Sequence, residues 1–237
     1  LGNGSNVLVR DKGIRGIVIK LGNMLRHFYE AEDLLVFGSG YSLALASYKA
    51  MECGKTGMEF AVGIPGSIGG AVYMNAGAYD GEMQNIVNCV KVMDLQGNER
   101  VLTAEELNFG YRKTSLQNSG LIVTEVTLKM PSGNKDEIKS KMDDFSHRRI
   151  SKQPLEMPSA GSMFKRPPGY FAGTLIDQAG LKGYTVGGAQ ISTKHAGFVV
   201  NVGGATAADV LQLIKDVQTK IKAGVGVELQ PEVLVIG

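Results

Sequence analysis

Short apolar runs, each followed by a turn rich in glycine, serine or asparagine, dominate the first part of the chain. These valine-, isoleucine- and leucine-rich runs predict three short strands, at residues 7–9, 17–19 and 34–37. After the third run the apolar residues take helical spacing. This pattern predicts a helix that begins after Ser42, a suitable N-cap, and ends at Gly54. Strands that deliver glycine-rich loops, followed by a helix, are therefore expected.

The second part of the chain mixes strand and helix patterns. Apolar residues on both sides of a turn at 96–98 predict a hairpin, and Val126, Leu128 and Met130 alternate along a strand at 121–130. Helical spacing predicts three helices, at 138–149, 172–179 and 207–223, and apolar runs predict strands at 198–202 and 232–236. Thr206 and Asp209 form a capping-box pattern for the last helix, and Gly224 is its predicted end. This mixture predicts an α+β fold rather than a doubly wound sheet.

One glycine-rich stretch, residues 59–79, stands out from the ordinary turns. Its glycines alternate with apolar residues such as Ile64 and Ile68, which predicts a buried loop rather than a flexible linker. Glycine permits close approach of another group to the backbone, and successive N–H groups in such a loop can surround an anion. The stretch lacks the Lys-Ser/Thr ending of a P-loop and the G-x-G-x-x-G pattern. It is therefore either a set of tight turns or a phosphate-binding loop of another fold.

Composition excludes several classes of protein. The chain has 237 residues with 25 Lys+Arg and 23 Asp+Glu, a net charge of +2, which gives no basic field for nucleic acid. Its 32 glycines are about twice the usual ~7%. The separated cysteines, Cys53 and Cys89, and the three isolated histidines have no metal-ligand spacing, so no metal is expected. No apolar run reaches the ~20 residues of a membrane-spanning helix. Because the chain starts at Leu1 inside a motif, we expect a preceding segment.

Several polar residues stand in glycine-rich or apolar surroundings and are candidates for chemistry. Arg112 offers a forked guanidinium for a carboxylate or phosphate, although a solvated arginine at a strand end is an alternative. Ser162 is a candidate proton donor or nucleophile; it lacks the G-x-S-x-G elbow, and an ordinary turn serine is the alternative. Glu232 starts an apolar strand, where a buried carboxylate is costly without a purpose, although a strand-edge glutamate facing water is an alternative. Lys152 and Lys165 are candidates for phosphate contacts, with exposed lysines as the alternative.

Taken together, these motifs carry a resemblance to one family. They are GNGSN at 2–6, GIPGSIGGAVYMNAGAY at 63–79, YR at 111–112, QP at 153–154 with AGSMFK at 160–165, HAGF at 195–198 with Asn201, and PEV at 231–233. In this order they resemble the UDP-N-acetylenolpyruvoylglucosamine reductase family, the flavoproteins also called UDP-N-acetylmuramate dehydrogenases. The resemblance covers the chain from Leu1 to Gly237. The absence of room for an extra tyrosine-bearing loop at 115–120 indicates the shorter, second type of the family.

The resemblance implies an α+β protein with an FAD-binding fold of the vanillyl-alcohol-oxidase type, followed by a smaller α+β substrate-binding domain. The implied domains are 1–131 for FAD, with its N-terminal part missing, and 132–237 for substrate, the last strand at 231–237 being a candidate to return to the FAD domain. The implied activity is the NADPH-dependent, FAD-mediated reduction of UDP-N-acetylglucosamine enolpyruvate to UDP-N-acetylmuramate. This reaction belongs to peptidoglycan precursor synthesis in the cytoplasm. The implied partners are the sugar nucleotide and NADPH, with no nucleic acid and no membrane.

The resemblance also implies roles for individual residues. Arg112 and Glu232 would stabilise the negative charge that develops on the substrate, Glu232 as a protonated hydrogen-bond donor, and Ser162 would protonate the substrate carbon. The implied FAD contacts are Gly2, Asn3, Gly4, Ser5, Asn6, Gly63, Ile64, Pro65, Gly66, Ser67, Gly69, Gly70, Asn75, Ala76, Gly77 and Ala78. The implied substrate contacts are Tyr111, Lys152, Lys165 and Arg166, with Lys152 at the position that meets the diphosphate.

Two positions depart from the family pattern. Arg166 stands where some relatives carry an asparagine, and Leu234 replaces a common arginine. Two other interpretations remain open: a non-catalytic nucleotide-binding module, and a flavin oxidase of the same broad fold that acts on another alcohol or sugar. The first would lack one of the three catalytic candidates, all of which are present. The second would carry a histidine or cysteine for covalent flavin attachment, and none lies in the glycine loops.

Overall fold

The computed structural model describes residues 1–237 and consists of mixed strands and helices, as the sequence predicts for an α+β fold. In chain order the strands are β1 (Val7–Val9), β2 (Phe28–Ala31), β3 (Leu34–Gly38), β4 (Gly77–Ala78), β5 (Gly81–Glu82), β6 (Val87–Met93), β7 (Glu99–Thr103), β8 (Ile122–Lys129), β9 (Ser159–Ser162), β10 (Thr185–Val186), β11 (Ala189–Ile191), β12 (Phe198–Asn201) and β13 (Leu234–Ile236). The helices are α1 (Leu43–Glu52), α2 (Ile68–Tyr73), α3 (Lys135–Lys152), α4 (Ala172–Gln178) and α5 (Ala207–Val225). Three short 3₁₀ helices occupy Asn23–Leu25, Glu59–Ala61 and Met83–Asn85.

The chain divides into two compact units. The first comprises Leu1–Asn3 and Ile19–Arg148, and the second comprises Gly4–Val18 and Arg149–Gly237. The sequence predicts a boundary after residue 131, whereas in the structure residues 132–148, which include most of α3, belong to the first unit. The terminal strand β13 pairs in parallel with β1, a segment predicted to lie in the FAD-binding domain.

The first unit is built on a five-stranded antiparallel sheet with the strand order β2-β3-β8-β6-β7. The predicted alternation in β8 is confirmed, because Val126, Leu128 and Met130 are all buried. Their apolar side chains join those of α1 and α2 in one core that includes the fully buried Leu43 and Ile68. Ser42 caps α1 as predicted and accepts a hydrogen bond from the Leu45 N–H at 3.4 Å.

The second unit contains a four-stranded antiparallel sheet, ordered β10-β11-β12-β9, with α4 and α5 packed in the same core. The capping box of α5 is confirmed: Thr206 Oγ1 accepts from the Asp209 N–H at 3.1 Å, and Asp209 accepts from the Thr206 N–H at 2.9 Å. The predicted end at Gly224 is wrong. The helix continues to Val225 because Gly226, with φ of 74°, is the residue that takes the left-handed capping conformation.

Two further predictions differ from the structure. Residues 17–19 form no strand: Ile17 is 94% exposed, and a β-branched run without a partner strand does not become one. The glycine-rich stretch is not a loop throughout, because Ile68–Tyr73 form the short helix α2, capped by the Ser67 hydroxyl. None of the five α-helices combines the length and apolar composition that crossing a membrane requires.

Candidate active site

Two glycine loops meet in the first unit, at Gly2-Asn3 and at residues 65–67. The Asn3 side-chain amide donates to the Pro65 carbonyl at 3.3 Å. A Cβ atom on Gly2 would overlap Ser67 Oγ, so a larger residue there would have to displace the hydroxyl that caps α2. The first glycine loop therefore lies directly against the turn that begins α2.

A third loop, residues 38–42, packs on the same turn. The Leu43 N–H donates to the Gly66 carbonyl at 2.9 Å, and the Gly69 N–H donates to the Ser39 carbonyl at 2.9 Å. A Cβ atom on Gly69 would lie 2.7 Å from Ser39 Cβ, closer than real side-chain atoms approach. Three glycine-containing segments of the first unit thus converge on one place.

A cavity of about 340 Å³ opens beside this junction. Its lining includes Asn3, Gly40 and Ser42 from the loops, together with the exposed Arg26. Sequence patterns did not single out Arg26, because an isolated arginine next to a 3₁₀ turn resembles any surface arginine. The Ser39 hydroxyl at the junction is buried and has no hydrogen-bond partner within the protein. The cavity at the junction is thus lined by loop backbone, the Ser42 side chain and the cationic side chain of Arg26.

Arg112 lies on a tight turn in which Gly110 and Lys113 exchange two backbone hydrogen bonds. Its φ is 54°, a left-handed conformation that costs a non-glycine residue on the order of 1–3 kcal/mol. The guanidinium donates to the Asn75 carbonyl at 3.3 Å and to the Gly77 carbonyl at 2.9 Å. Its central carbon also lies 4.9 Å from the centroid of the Tyr111 ring. Arg112 is therefore a strained residue whose guanidinium is held by backbone carbonyls, rather than a freely solvated arginine at a strand end.

Asn75 is completely buried, and its side chain bonds to protein groups. The amide nitrogen donates to Glu82 at 3.1 Å and to the Gly110 carbonyl at 3.0 Å, while the amide oxygen accepts from the Gln84 N–H at 3.0 Å. Both amide hydrogens are therefore used within the first unit. Its backbone N–H donates to the Val72 carbonyl at 3.0 Å and its carbonyl accepts from Arg112, so the protein itself uses the polar groups through which the resemblance implies a cofactor contact. Ala76, Gly77 and Ala78 continue from it into β4.

Ser162 lies at the end of β9 in the second unit, exposed and paired with Phe198 of β12. The neighbouring Gly197 leaves space between Ser162 and His195. A Cβ atom on Gly197 would lie 3.7 Å from Ser162 Oγ and 3.0 Å from His195 Cε1. The structure therefore places a histidine ring close to the predicted proton donor.

His195 belongs to a motif of the family resemblance, but no site role was predicted for it. Its Nδ1 accepts the Gly197 N–H at 3.1 Å, which places the proton of a neutral ring on Nε2. Burial holds the pKa of His195 below its usual range, and the positive charges of Lys182 and Lys152 act in the same direction. Lys152, a predicted substrate contact, is therefore close enough to His195 for its charge to act on the pKa of the histidine. Spacing alone cannot identify such a residue, because its neighbours come from distant parts of the chain.

Glu232 is joined to the same region of the second unit. Its N–H donates to the Met163 carbonyl at 2.9 Å, next to Ser162, and its carbonyl accepts from the Asn6 amide at 3.2 Å. Ser5 also lies near, since its carbonyl oxygen would be 3.8 Å from a Cβ atom on Gly161. The structure thus brings together Ser162, Glu232 and the end of the GNGSN loop.

The remaining predicted substrate contacts also lie in the second unit. Lys152 is exposed at the C-terminal end of α3. The Lys165 N–H donates to the Gln230 carbonyl at 2.8 Å, beside the segment that carries Glu232. The guanidinium of Arg166 stacks 3.9 Å from the centroid of the Phe171 ring, so this departure from the family pattern presents a flat cationic surface.

The residues of the first unit fit a phosphate-bearing cofactor. Gly2, Ser39 and Gly69 hold the loops together, whereas Gly63, Pro65 and Gly70 are exposed and leave the outer side of the stretch without bulky side chains. Gly70 is in the same helix as Gly69, yet a Cβ there would meet only Ser67 Oγ, at 3.3 Å. Glycine at an exposed helical position has a helix-forming cost that close approach by a ligand would explain.

Comparison with known families identifies the class of protein. Residues 1–103 match the family model described as an FAD binding domain. Residues 153–236 match the model described as the C-terminal domain of UDP-N-acetylenolpyruvoylglucosamine reductase. The chain is therefore an FAD-containing oxidoreductase with the predicted FAD-binding fold and a smaller C-terminal domain.

Individual relatives define the family further. UDP-N-acetylenolpyruvoylglucosamine reductase from Clostridium perfringens strain SM101 is 53% identical over 237 residues, which is 100% of this chain and 78% of that protein. The Geobacillus thermodenitrificans reductase is 50% identical with the same coverage. The crystal structure of the Thermus caldophilus reductase (MurB) aligns with a TM-score of 0.88 and 41% identity, covering 100% of this chain and 84% of that chain. This chain belongs to the UDP-N-acetylenolpyruvoylglucosamine reductase family, and the resemblance of its motifs is confirmed.

Proposed function

We propose that this protein reduces the enolpyruvyl group of UDP-N-acetylglucosamine enolpyruvate to give UDP-N-acetylmuramate, with NADPH as the source of electrons. The proposal is supported by two groups of residues in a member of this family. The first unit contains the converging glycine loops and Arg112, and the second unit contains Ser162 and Glu232. The reaction serves peptidoglycan precursor synthesis, and its proposed location is the cytoplasm.

Bound FAD supplies the hydride chemistry that amino-acid side chains lack. The groups proposed to hold it are those of the GNGSN loop and of the 63–78 stretch, where glycine allows the backbone to approach phosphate oxygens closely. The side chain of Asn75 is excepted, because both of its amide hydrogens bond to protein groups. Arg26 and Ser42, which line the adjoining cavity, are added to this set. Their role is to bind the cofactor and fix its orientation.

Arg112 is proposed to stabilise negative charge on the substrate. When hydride adds to the vinyl group, charge develops on the carbon and carboxylate at the other end of the double bond. A guanidinium held by the Asn75 and Gly77 carbonyls does not reorient as that charge forms, which is the condition for effective electrostatic stabilisation. Glu232, in protonated form, adds a hydrogen bond to the carboxylate.

Ser162 is proposed to donate a proton to the substrate carbon next to the carboxylate. Ser162 is an exposed residue, so a bound ligand can reach it. A serine hydroxyl is a weak acid and transfers a proton only to a strongly basic centre within hydrogen-bond reach. Proposed diphosphate contacts from Lys152, Lys165 and Arg166, together with Tyr111, would bring the substrate carbon to that distance.

The test is an assay of NADPH oxidation by the purified, FAD-loaded protein with and without the enolpyruvyl sugar nucleotide. We expect oxidation to depend on the sugar nucleotide and to yield UDP-N-acetylmuramate in equal amount. A yellow protein that oxidises NADPH at the same rate without the sugar nucleotide, passing electrons to oxygen, would contradict the proposal. A protein that retains no flavin would support a non-catalytic nucleotide-binding module instead.

A further inference from the structure

Asn75 connects the glycine-rich stretch to the turn that carries Arg112. Its backbone carbonyl accepts a hydrogen bond from the guanidinium at 3.3 Å, and its side-chain amide donates to the Gly110 carbonyl at the base of the turn at 3.0 Å. One buried residue thus bonds to both the head group of Arg112 and the backbone that carries it.

We propose that Asn75 is a positioning residue for Arg112, an inference that rests on the role of Arg112 in the proposed function. The Gly110 carbonyl accepts from both Lys113 N–H and the Asn75 amide, so the turn has a fixed base. Glu82 and the Gln84 N–H in turn fix the amide of Asn75 on its other side. Asn75 itself has φ of 41°, a conformation that asparagine adopts more readily than most residues.

The backbone conformation of Arg112 explains why it needs a positioning residue. Its left-handed backbone is unfavourable for an arginine, so the turn would relax if its bonds were removed. A displacement of about 1 Å in a catalytic group can reduce a rate about 10²-fold. Loss of the Asn75 amide should therefore act on the step that uses Arg112 while the cofactor loops remain assembled through their own contacts.

The test is a double-mutant cycle in the FAD-loaded protein, with the two half-reactions followed separately by flavin absorbance. Asn75→Gly removes the amide and tolerates positive φ, so it adds no backbone strain. We expect flavin reoxidation by the sugar nucleotide to slow roughly 10–100-fold, and flavin reduction by NADPH to stay within about threefold of the parent rate. In an Arg112→Ala background, Asn75→Gly should cause no further slowing, because no guanidinium is then left for Asn75 to position.

Thr114→Val is the matched control. Thr114 is also buried and ties the same loop to the Tyr73 carbonyl through its hydroxyl at 2.9 Å, but it has no bond to Arg112. It should lower stability without slowing reoxidation comparably. If Thr114→Val slows reoxidation as much as Asn75→Gly, loop stability rather than positioning is responsible and the inference is overturned.

The remaining outcomes separate the inference from the proposed function. Equal slowing by Asn75→Gly in the parent and in Arg112→Ala would overturn the inference while the function stands. An Arg112→Ala protein that reoxidises at the parent rate would instead remove the proposed role of Arg112. If Asn75→Gly retains no flavin, Asn75→Asp, which keeps the size of the side chain, takes its place. Loss of flavin in both variants would assign Asn75 to the cofactor site and overturn the inference that Asn75 positions Arg112.

Discussion

The close contact between Gly69 and Ser39 gives a sharp prediction about how the glycine loops are held together. In Gly69→Ala the new methyl group would lie 2.7 Å from Ser39 Cβ and 3.1 Å from the Ser39 carbonyl oxygen. Ser39 is completely buried, and the atoms in the way are its backbone and Cβ rather than the flexible end of a side chain. Helix α2 and the loop at 38–42 must therefore move apart.

The magnitude follows from two opposing effects. Overpacking of a buried position typically costs about 1–3 kcal/mol, whereas replacing glycine by alanine inside a helix gains up to about 1 kcal/mol. A net loss of about 1–2 kcal/mol corresponds to a fall in Tm of roughly 2–8 °C for a chain of this size. Flavin retention should fall as well, because the same movement separates the loops proposed to hold FAD.

Gly70→Ala is the matched control in the same helix. Its methyl group would meet only Ser67 Oγ, at 3.3 Å, so the flavin-free protein should unfold at the parent temperature or slightly above it. The assays are thermal unfolding followed by circular dichroism and the ratio of flavin to protein absorbance. A Gly69→Ala protein at least as stable as Gly70→Ala would refute the packing of α2 on the Ser39 loop.

Three further predictions concern the second unit. Ser162→Ala should bind FAD and undergo reduction by NADPH normally but slow single-turnover reoxidation by the sugar nucleotide about 10²–10⁴-fold, with Ser162→Cys less impaired; reoxidation of Ser162→Ala at the parent rate would leave the mechanism without its acid. Burial lowers the pKa of His195 from 6.5, so the unfolded chain takes up its proton first and the free energy of unfolding should fall as the pH drops below 6.5. Denaturant unfolding of His195→Gln should show a smaller fall than the parent over this range, and identical pH dependence would argue against a buried neutral ring. Thr206→Ala should lose about 1 kcal/mol by removing the cap of α5, whereas Thr219→Ala, an exposed change within that helix, should show no such loss in the same unfolding measurement.

Local sequence signals predicted most of the elements. The hairpin of β6 and β7, the α1 cap at Ser42 and the capping box at Thr206 depend on residues close in sequence, and each is where the pattern predicts it. The strand predicted at 17–19 failed because strand formation needs a distant partner, which local pattern does not supply. The choice of Gly226 over Gly224 as the end of α5 likewise depends on which glycine becomes left-handed.

The candidate site was predictable through motifs, but not its internal support. Arg112, Ser162 and Glu232 could be named because they stand in recognisable motifs. The bonds from Asn75 to Gly110 and the contact of Gly69 with Ser39 join residues 30 or more positions apart, so no local spacing indicates them. His195 was missed for the same reason. Only the folded structure shows that it lies near Ser162 across Gly197 and that the charge of Lys152 acts on its pKa.

In the proposed function, electrons pass from NADPH through the bound flavin to the enolpyruvyl sugar nucleotide. The most direct test is an anaerobic stopped-flow experiment in which the FAD-loaded protein is first reduced with one equivalent of NADPH. It is then mixed with UDP-N-acetylglucosamine enolpyruvate while the flavin absorbance is recorded. We expect reoxidation at least as fast as steady-state turnover, with one UDP-N-acetylmuramate formed per flavin. A flavin that stays reduced with the sugar nucleotide and reoxidises only when oxygen is admitted would contradict it.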